Sequence, residues 1–172
     1  MCYCKLEVLT MTANKLIYRQ QIMAADPHAI SRIVQSSGFF SAEEIALARE
    51  LAEEKLDQGN ASSYQFLFVE DEDIVLGYTC FGLIPATSGS YDLYWIAVDG
   101  KFRSRGLGKE LMQKTQHIIL SIGGRLIYAE TSSRDQYKTT HSFYESCGYR
   151  QEAFLKDFYA PGDSKIIYVK TL

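Results

Sequence analysis

Between Tyr91 and Ile122 the chain spells a strand, a basic glycine turn and a helix, in that order. Tyr91-Asp92-Leu93-Tyr94-Trp95-Ile96-Ala97-Val98 is aromatic and β-branched. Arg103-Ser104-Arg105-Gly106-Leu107-Gly108 is the turn, and Lys109-Glu110-Leu111-Met112-Gln113-Lys114-Thr115-Gln116 carries the helical pattern. The helix stops at Gly123-Gly124, and Arg125 to Thr131 reads as the next strand. Two strands joined through a helix become parallel neighbours by a right-handed crossover, so the unit dictates a mixed α/β fold at its centre.

The turn is also a place to hold phosphate. Glycines let the backbone approach a ligand, the first-turn N–H groups lack intrahelical acceptors, and the helix dipole favours an anion there. Arg103, Arg105 and nearby Lys101 add positive charge. Two or three charge-assisted contacts, at roughly 1.5–3 kcal/mol each, supply much of a micromolar affinity of about −8 kcal/mol. Two familiar phosphate motifs are excluded. The dinucleotide fingerprint needs a glycine at 111, where Leu111 stands, and the nucleotide P-loop needs Ser or Thr after Gly108-Lys109, where Glu110 stands. Against this reading stands the plain one, a surface turn.

Composition narrows the class further. The 172 residues suit one domain with a substantial core, and 47% hydrophobic with 23% charged residues is that of a globular protein. A net charge of −3 argues against non-specific nucleic-acid binding. The start, Met1-Cys2-Tyr3-Cys4-Lys5-Leu6-Glu7, lacks the pattern of a signal peptide, and no apolar run reaches membrane-spanning length, so a cytoplasmic location is expected. Cys2, Cys4, Cys80 and Cys147 lack metal-site spacing and read as free thiols.

Along the rest of the chain, Ile17–Met23 reads as a strand. Asp26-Pro27 opens a helix, with Asp26 as its cap, that runs to Gln35 and stops at Gly38. Ser41-Ala42-Glu43-Glu44 is a capping box, followed by Ile45, Ala48, Ala52 and Leu56 on one helical face. Strands are expected at Tyr64–Glu70, Ile74–Ile84, Arg150–Phe158 and Lys165–Lys170, with a short helix from Thr139 to Cys147. On the helix after the turn, Leu107, Leu111, Ile118 and Ile122 read as the buried stripe.

This order of elements resembles the GNAT superfamily of acetyl-CoA-dependent N-acetyltransferases. Ile96-Ala97-Val98-Asp99 with Arg103-x-x-Gly106-x-Gly108 is similar to its pyrophosphate motif. Glu130-Thr131-Ser132 is similar to the end of its fifth strand, and Phe143-Tyr144-Glu145-x-x-Gly148-Tyr149 to its last helix and turn. The resemblance runs from about Leu16 to Leu172 and implies a single GNAT-like domain over 1–172. It implies a mostly antiparallel mixed sheet, a splayed parallel pair at Tyr91–Val98 and Arg125–Ser132, and about four flanking helices. The implied cosubstrate is acetyl-CoA, with the backbone of Ile96, Ala97 and Val98 pairing with its pantetheine amides. The amides of Ser104, Arg105, Gly106, Leu107, Gly108 and Lys109 would hold the diphosphate. Tyr137 stands where many members carry an asparagine contacting the cofactor arm, so that contact takes another form here.

The resemblance also puts Tyr144 where the family has a general acid for the departing thiolate. A phenol of pKa about 10 suits that task; the plain alternative is a core aromatic beside Phe143. For the base, Asp92 and Tyr94 share a strand face if the pleat is regular, Trp95 pointing to the other, and Glu130 ends the parallel neighbour. Asp92, Glu130, a water chain or no dedicated base all remain open. His28, His117 and His141 are scattered, with His117 and His141 reading as exposed helical residues, and Cys147 reads as a small buried hydrophobe rather than a nucleophile. Acetyl transfer to a primary amine of a small molecule or peptide is the expected function. A non-catalytic acyl-CoA-binding or interaction domain of the same fold is the alternative. Homodimers are common in families resembling this one. The acceptor would be walled by residues 24–60, which carry Arg32, Arg49, Lys55 and several acids.

Overall fold

The computed structural model describes residues 16–172; Cys2 and Cys4 lie outside them. Among the described residues seven strands form one sheet in the order β1-β2-β3-β4-β5-β7-β6. The strands are β1 (Ile17–Arg19), β2 (Gln65–Asp71), β3 (Ile74–Leu83), β4 (Ser90–Val98), β5 (Leu126–Ser132), β6 (Arg150–Ala160) and β7 (Asp163–Thr171). The helices are α1 (Asp26–Gln35), α2 (Ala42–Gln58), α3 (Leu107–Ser121) and α4 (Lys138–Ser146). Only β4 and β5 pair in parallel, as the crossover through α3 requires. No described helix is long and apolar enough to cross a membrane.

The sheet has a core on each face. On one side α3 and α4 cover Tyr91 and Leu93 of β4, Ile127 and Ala129 of β5, and Ile166 and Tyr168 of β7. On the other, Ile30, Ile33, Ala48 and Ala52 of α1 and α2 pack on Phe66, Phe68, Tyr78 and Cys80 of β2 and β3. Side chains alternate across a pleated strand, so Asp92, Tyr128 and Glu130 emerge on the α1–α2 side.

The buried stripe of α3 departs from the expected one. It runs Leu107, Leu111, Met112, Thr115, Ile119, while Ile122 is half exposed beyond the last helical residue. Thr115 belongs because its Oγ1 lies 2.8 Å from Thr79 Oγ1 on β3, so two buried hydroxyls satisfy one another. An apolar-spacing argument passes over such a pair.

Two other expectations needed correction. β1 is only three residues long, and Asp26 is the first helical residue rather than the cap, which falls on Ala25 without a side-chain bond. The buried Asp26 carboxylate instead takes Arg19 Nη2 at 2.6 Å and Nη1 at 2.8 Å, while Arg19 Nε reaches Glu70 Oε1 at 2.8 Å. This bidentate pair ties the start of α1 to β1 and β2.

Candidate active site

The parallel pairing of β4 and β5 stops at Leu93 and Ala129, although β4 continues to Val98 and β5 to Ser132. The cause is in β4. Cys80 faces Trp95 and Phe81 faces Leu93, leaving Tyr94 without a partner on β3. This bulge bends the strand and opens the two ends apart. It also shifts the alternation: Tyr91, Leu93, Ile96 and Val98 face the α3 core, whereas Trp95 and Ala97 pack with the α1–α2 core. Trp95 therefore lies on the same side as Tyr94, whose ring packs edge-on against Tyr64 at 5.2 Å. The regular pleat would have put Trp95 opposite.

Past the bulge, the edge of β4 from Tyr94 to Val98 is unpaired on the β5 side and leads into the basic turn. Asp99 fixes that turn. Its Oδ1 accepts from Lys101 N at 3.0 Å, its Oδ2 pairs with Arg32, and its backbone N–H donates to Leu76 O at 2.8 Å. Arg32 also donates to Val75 O at 2.7 Å, and Gly100 N donates to Ser36 Oγ at 2.9 Å. The end of α1 thus anchors the approach to α3.

The first residues of α3 are left open. Gly106 precedes the helix at φ 83°, a left-handed conformation that glycine adopts freely, and no side chain caps the helix. Ser104 also has positive φ, at 62°. The first N–H with an intrahelical acceptor is that of Glu110, on Gly106 O at 3.0 Å, so the amides of Leu107, Gly108 and Lys109 precede the ladder. A Cβ at Gly106 would meet no protein atom within 4 Å, so the space over the turn is open.

These parts line one cleft of about 470 Å³. Ile96, Ala97 and Val98 form its floor, and Arg103, Ser104, Gly106, Leu107, Gly108 and Lys109 its basic end. Tyr137 and Phe143 close the far side. Arg105 is not part of the lining; its guanidinium lies over the Phe102 ring at 5.2 Å. Sequence reasoning missed the loop between α1 and α2. Ser37, Phe39 and Phe40 join the cleft wall, with Phe40 edge-on to Trp95 at 5.1 Å and Arg103 over Phe39 at 5.7 Å. Two adjacent aromatics just after Gly38, between two helices, were the available signal.

Tyr144 sits on the inner side of α4, 6% exposed, between Tyr149 at 5.6 Å and Tyr168 at 5.4 Å. Burial pushes its phenol well above the usual value, so it holds its proton at every physiological pH. Its neighbour Phe143, not Tyr144, lines the cleft. His141 is half-buried, with Nε2 2.9 Å from Ser132 O, and serves to join α4 to β5. His28 and His117 are exposed. Cys147 is half-buried with its thiol raised by burial, the opposite of an activated nucleophile.

On the α1–α2 side of the sheet, two carboxylates flank the point where the pairing of β4 and β5 ends, Asp92 just before it and Glu130 just after, and neither lines the cleft. Asp92 has neither a hydrogen bond nor an ion pair among the described residues, and burial followed by the charge of Glu130 raises its pKa. Glu130 is clasped by Lys165, Nζ to Oε2 at 2.5 Å. Burial, and then the charge of Asp92, pushes the Tyr94 phenol up to about 12. Of the charges on 24–60, Arg32, Arg49 and Asp26 are held by Asp99, Glu53 and Arg19, and Glu44 closes its own capping box.

A free strand edge running into an uncapped, cation-flanked helix start defines a site for an extended ligand that ends in phosphate. On a mixed sheet split between its parallel strands, that is the architecture of an acyltransferase that uses a coenzyme A thioester. Residues 62–151 match the sequence profile of the acetyltransferase (GNAT) domain. A GNAT-family structure from Desulfovibrio desulfuricans is 44% identical and superposes with a TM-score of 0.90, over 91% of this chain and 99% of that one. The ribosomal-protein-S18-alanine N-acetyltransferase from Escherichia coli superposes at 0.71, with 18% identity over 91% of this chain and 94% of its own. YncA from Salmonella typhimurium, solved with its cofactor acetyl-CoA, superposes at 0.69, with 17% identity over 91% and 94%. These last two share the fold. None of the curated proteins compared with it matches significantly. The chain belongs to the GNAT acetyltransferase family and is by that membership an acyltransferase.

Proposed function

We propose that this chain, acting as one catalytic domain, transfers acetyl from acetyl-CoA directly to a primary amine in a ternary complex. The observation that carries the proposal is the continuity of the unpaired β4 edge with the uncapped start of α3 in one cleft. The residues present fit the donor. Extended backbone at Ile96–Val98 offers amide and carbonyl groups to a pantetheine arm, as an added strand would take them. The free amides at Leu107, Gly108 and Lys109, with Arg103 beside them, suit a diphosphate. Tyr137, in place of a cofactor-contacting amide side chain, gives the arm a ring to pack on.

Acetyl-CoA, when bound, supplies an acetyl group activated as a thioester. The chain supplies positioning and proton management. Holding two reactants in attacking geometry lowers the barrier by several kcal/mol on its own. Tyr144 is the candidate donor of a proton to the departing thiolate, a role that requires its phenol, buried behind the cleft-lining Phe143, to reach the sulfur once the arm is seated. Asp92, free of partners and made more basic by its surroundings, takes the proton that the incoming ammonium must lose. The amine approaches over the sheet face that carries Asp92, Tyr94 and Glu130, away from α3.

The test has two stages. Acetyl-CoA raises the melting temperature, because a ligand bound only by the folded chain stabilises it; no rise at millimolar concentration defeats the reading. A panel of amines with detection of released thiol then identifies the acceptor. With that acceptor, Tyr144→Phe keeps the thermal shift and slows turnover by about 100-fold. Bound donor with no turnover on any amine, and indifference to Tyr144→Phe, would establish a non-catalytic binding domain instead.

A further inference from the structure

The geometry points to Lys165 as a positioning residue for proton removal: by clasping Glu130 it leaves Asp92 as the one carboxylate at the splay free to receive the amine's proton. This rests on the reading that the chain acetylates amines. Two neighbouring strands hold Lys165 in place. Its side chain is only 12% exposed, its Nζ sits 2.5 Å from Glu130 Oε2 on β5, and it lies over the Phe158 ring of β6 at 3.8 Å, with Tyr159 at 5.6 Å.

The register explains the meeting. Glu130 faces Ile167 and Ser132 faces Lys165, so Glu130 and Lys165 are diagonal neighbours on one face of β5 and β7. Asp92 faces Tyr128 across β4 and β5, two positions before Glu130 on that same face. The enclosed ammonium is held by the Glu130 carboxylate and by cation–π attraction to the rings of Phe158 and Tyr159. Glu130 Oε2 is taken up by the Lys165 ammonium. Asp92 has no such partner.

The step balances simply. An N–H bond of the ammonium breaks with its electron pair left on nitrogen, and an O–H bond forms on Asp92, which later returns the proton to water. The groups around Asp92 are few. Glu130 raises its proton affinity and Lys165 lowers it. Among the described residues, Tyr94 lies two positions along β4, Tyr128 is across from it on β5, Tyr64 packs against Tyr94, and Tyr159 lies beside Lys165, its phenol raised by burial and then by the charge of Glu130.

Carbon-13 titration of the side-chain carboxylates in the full chain reads this coupling without an acceptor, with Asp92→Asn assigning the signal. Lys165→Met raises the Asp92 midpoint by about one pH unit, because a neighbouring positive charge is lost. Glu130→Gln moves it the other way, and Lys165→Arg keeps it near the wild-type value. The pair of opposite shifts guards against one variant failing to fold. An Asp92 midpoint unmoved in both Lys165→Met and Glu130→Gln overturns the proposal. If the midpoints move as stated while Asp92→Asn keeps full acetyl transfer to an amine from the panel, the charge coupling stands, and the assignment of Asp92 as proton acceptor falls.

Discussion

Helices α2 and α3 begin in opposite ways. At α2, Ser41 Oγ accepts from Glu44 N at 3.2 Å and Glu44 Oε2 accepts from Ser41 N at 2.8 Å, so the helix supplies its own partners. At α3, Gly106 offers no side chain, and the three amides before the ladder belong to residues that line the cleft. A self-capped terminus adds stability and binds nothing. An uncapped one forgoes about 0.5–2 kcal/mol and keeps its donors for an anion. The difference separates residues that hold the fold from residues that hold a ligand, although both stretches are helix starts in one domain.

Substitutions can break that contrast, and the largest effect belongs to the turn. Gly106→Val forces a β-branched residue to φ 83° and fills the open space over the amides. The thermal shift given by acetyl-CoA should vanish, and a persisting shift would mean that the diphosphate binds elsewhere. Gly106→Asp tolerates the backbone better but sets a carboxylate against the anion. It should keep the melting temperature within a few degrees while weakening acetyl-CoA by roughly 100-fold in calorimetry, which isolates charge from strain. Arg103→Ala removes one charge-assisted contact at the cleft and should cost about 10-fold in affinity. Arg105→Ala, whose guanidinium lies over the Phe102 ring and is not part of the cleft lining, should cost less than about 3-fold. Equal losses for the two arginines would place Arg105 on the ligand as well.

The smallest effect lies at the other helix. Ser41→Ala should lower stability by about 1 kcal/mol, or about 2–4 °C in melting temperature for a domain of this size, and leave acetyl-CoA affinity unchanged. A loss of affinity there would couple the α1–α2 loop to the donor through Phe39 and Phe40, which line the same cleft.

Much of this architecture was legible in advance because its signals are local. The alternating and β-branched runs, the capping box, the Gly-terminated helices and the Arg/Gly turn each need only neighbours in sequence to act. The crossover through α3 then forced the parallel pair. What escaped depends on partners far along the chain. Asp26 looked like a cap until Arg19, which also holds Glu70, claimed it. Thr115 looked polar until Thr79 met it. Trp95 changed side because of an extra residue in β4 that only the register with β3 reveals.

The sequence by itself determined the class of site: a glycine turn at a helix start, following a strand, has free amides wherever it folds. Tertiary structure alone decided which charges remain available around it. Arg32 is taken by Asp99 and Asp26 by Arg19, Lys165 arrives from the last hairpin to clasp Glu130, and Asp92 is left alone. The physical reason is that hydrogen bonds to one's own backbone neighbours are set by spacing of a few residues. Charge pairing across a sheet is set by register, and register is fixed only when the whole core packs.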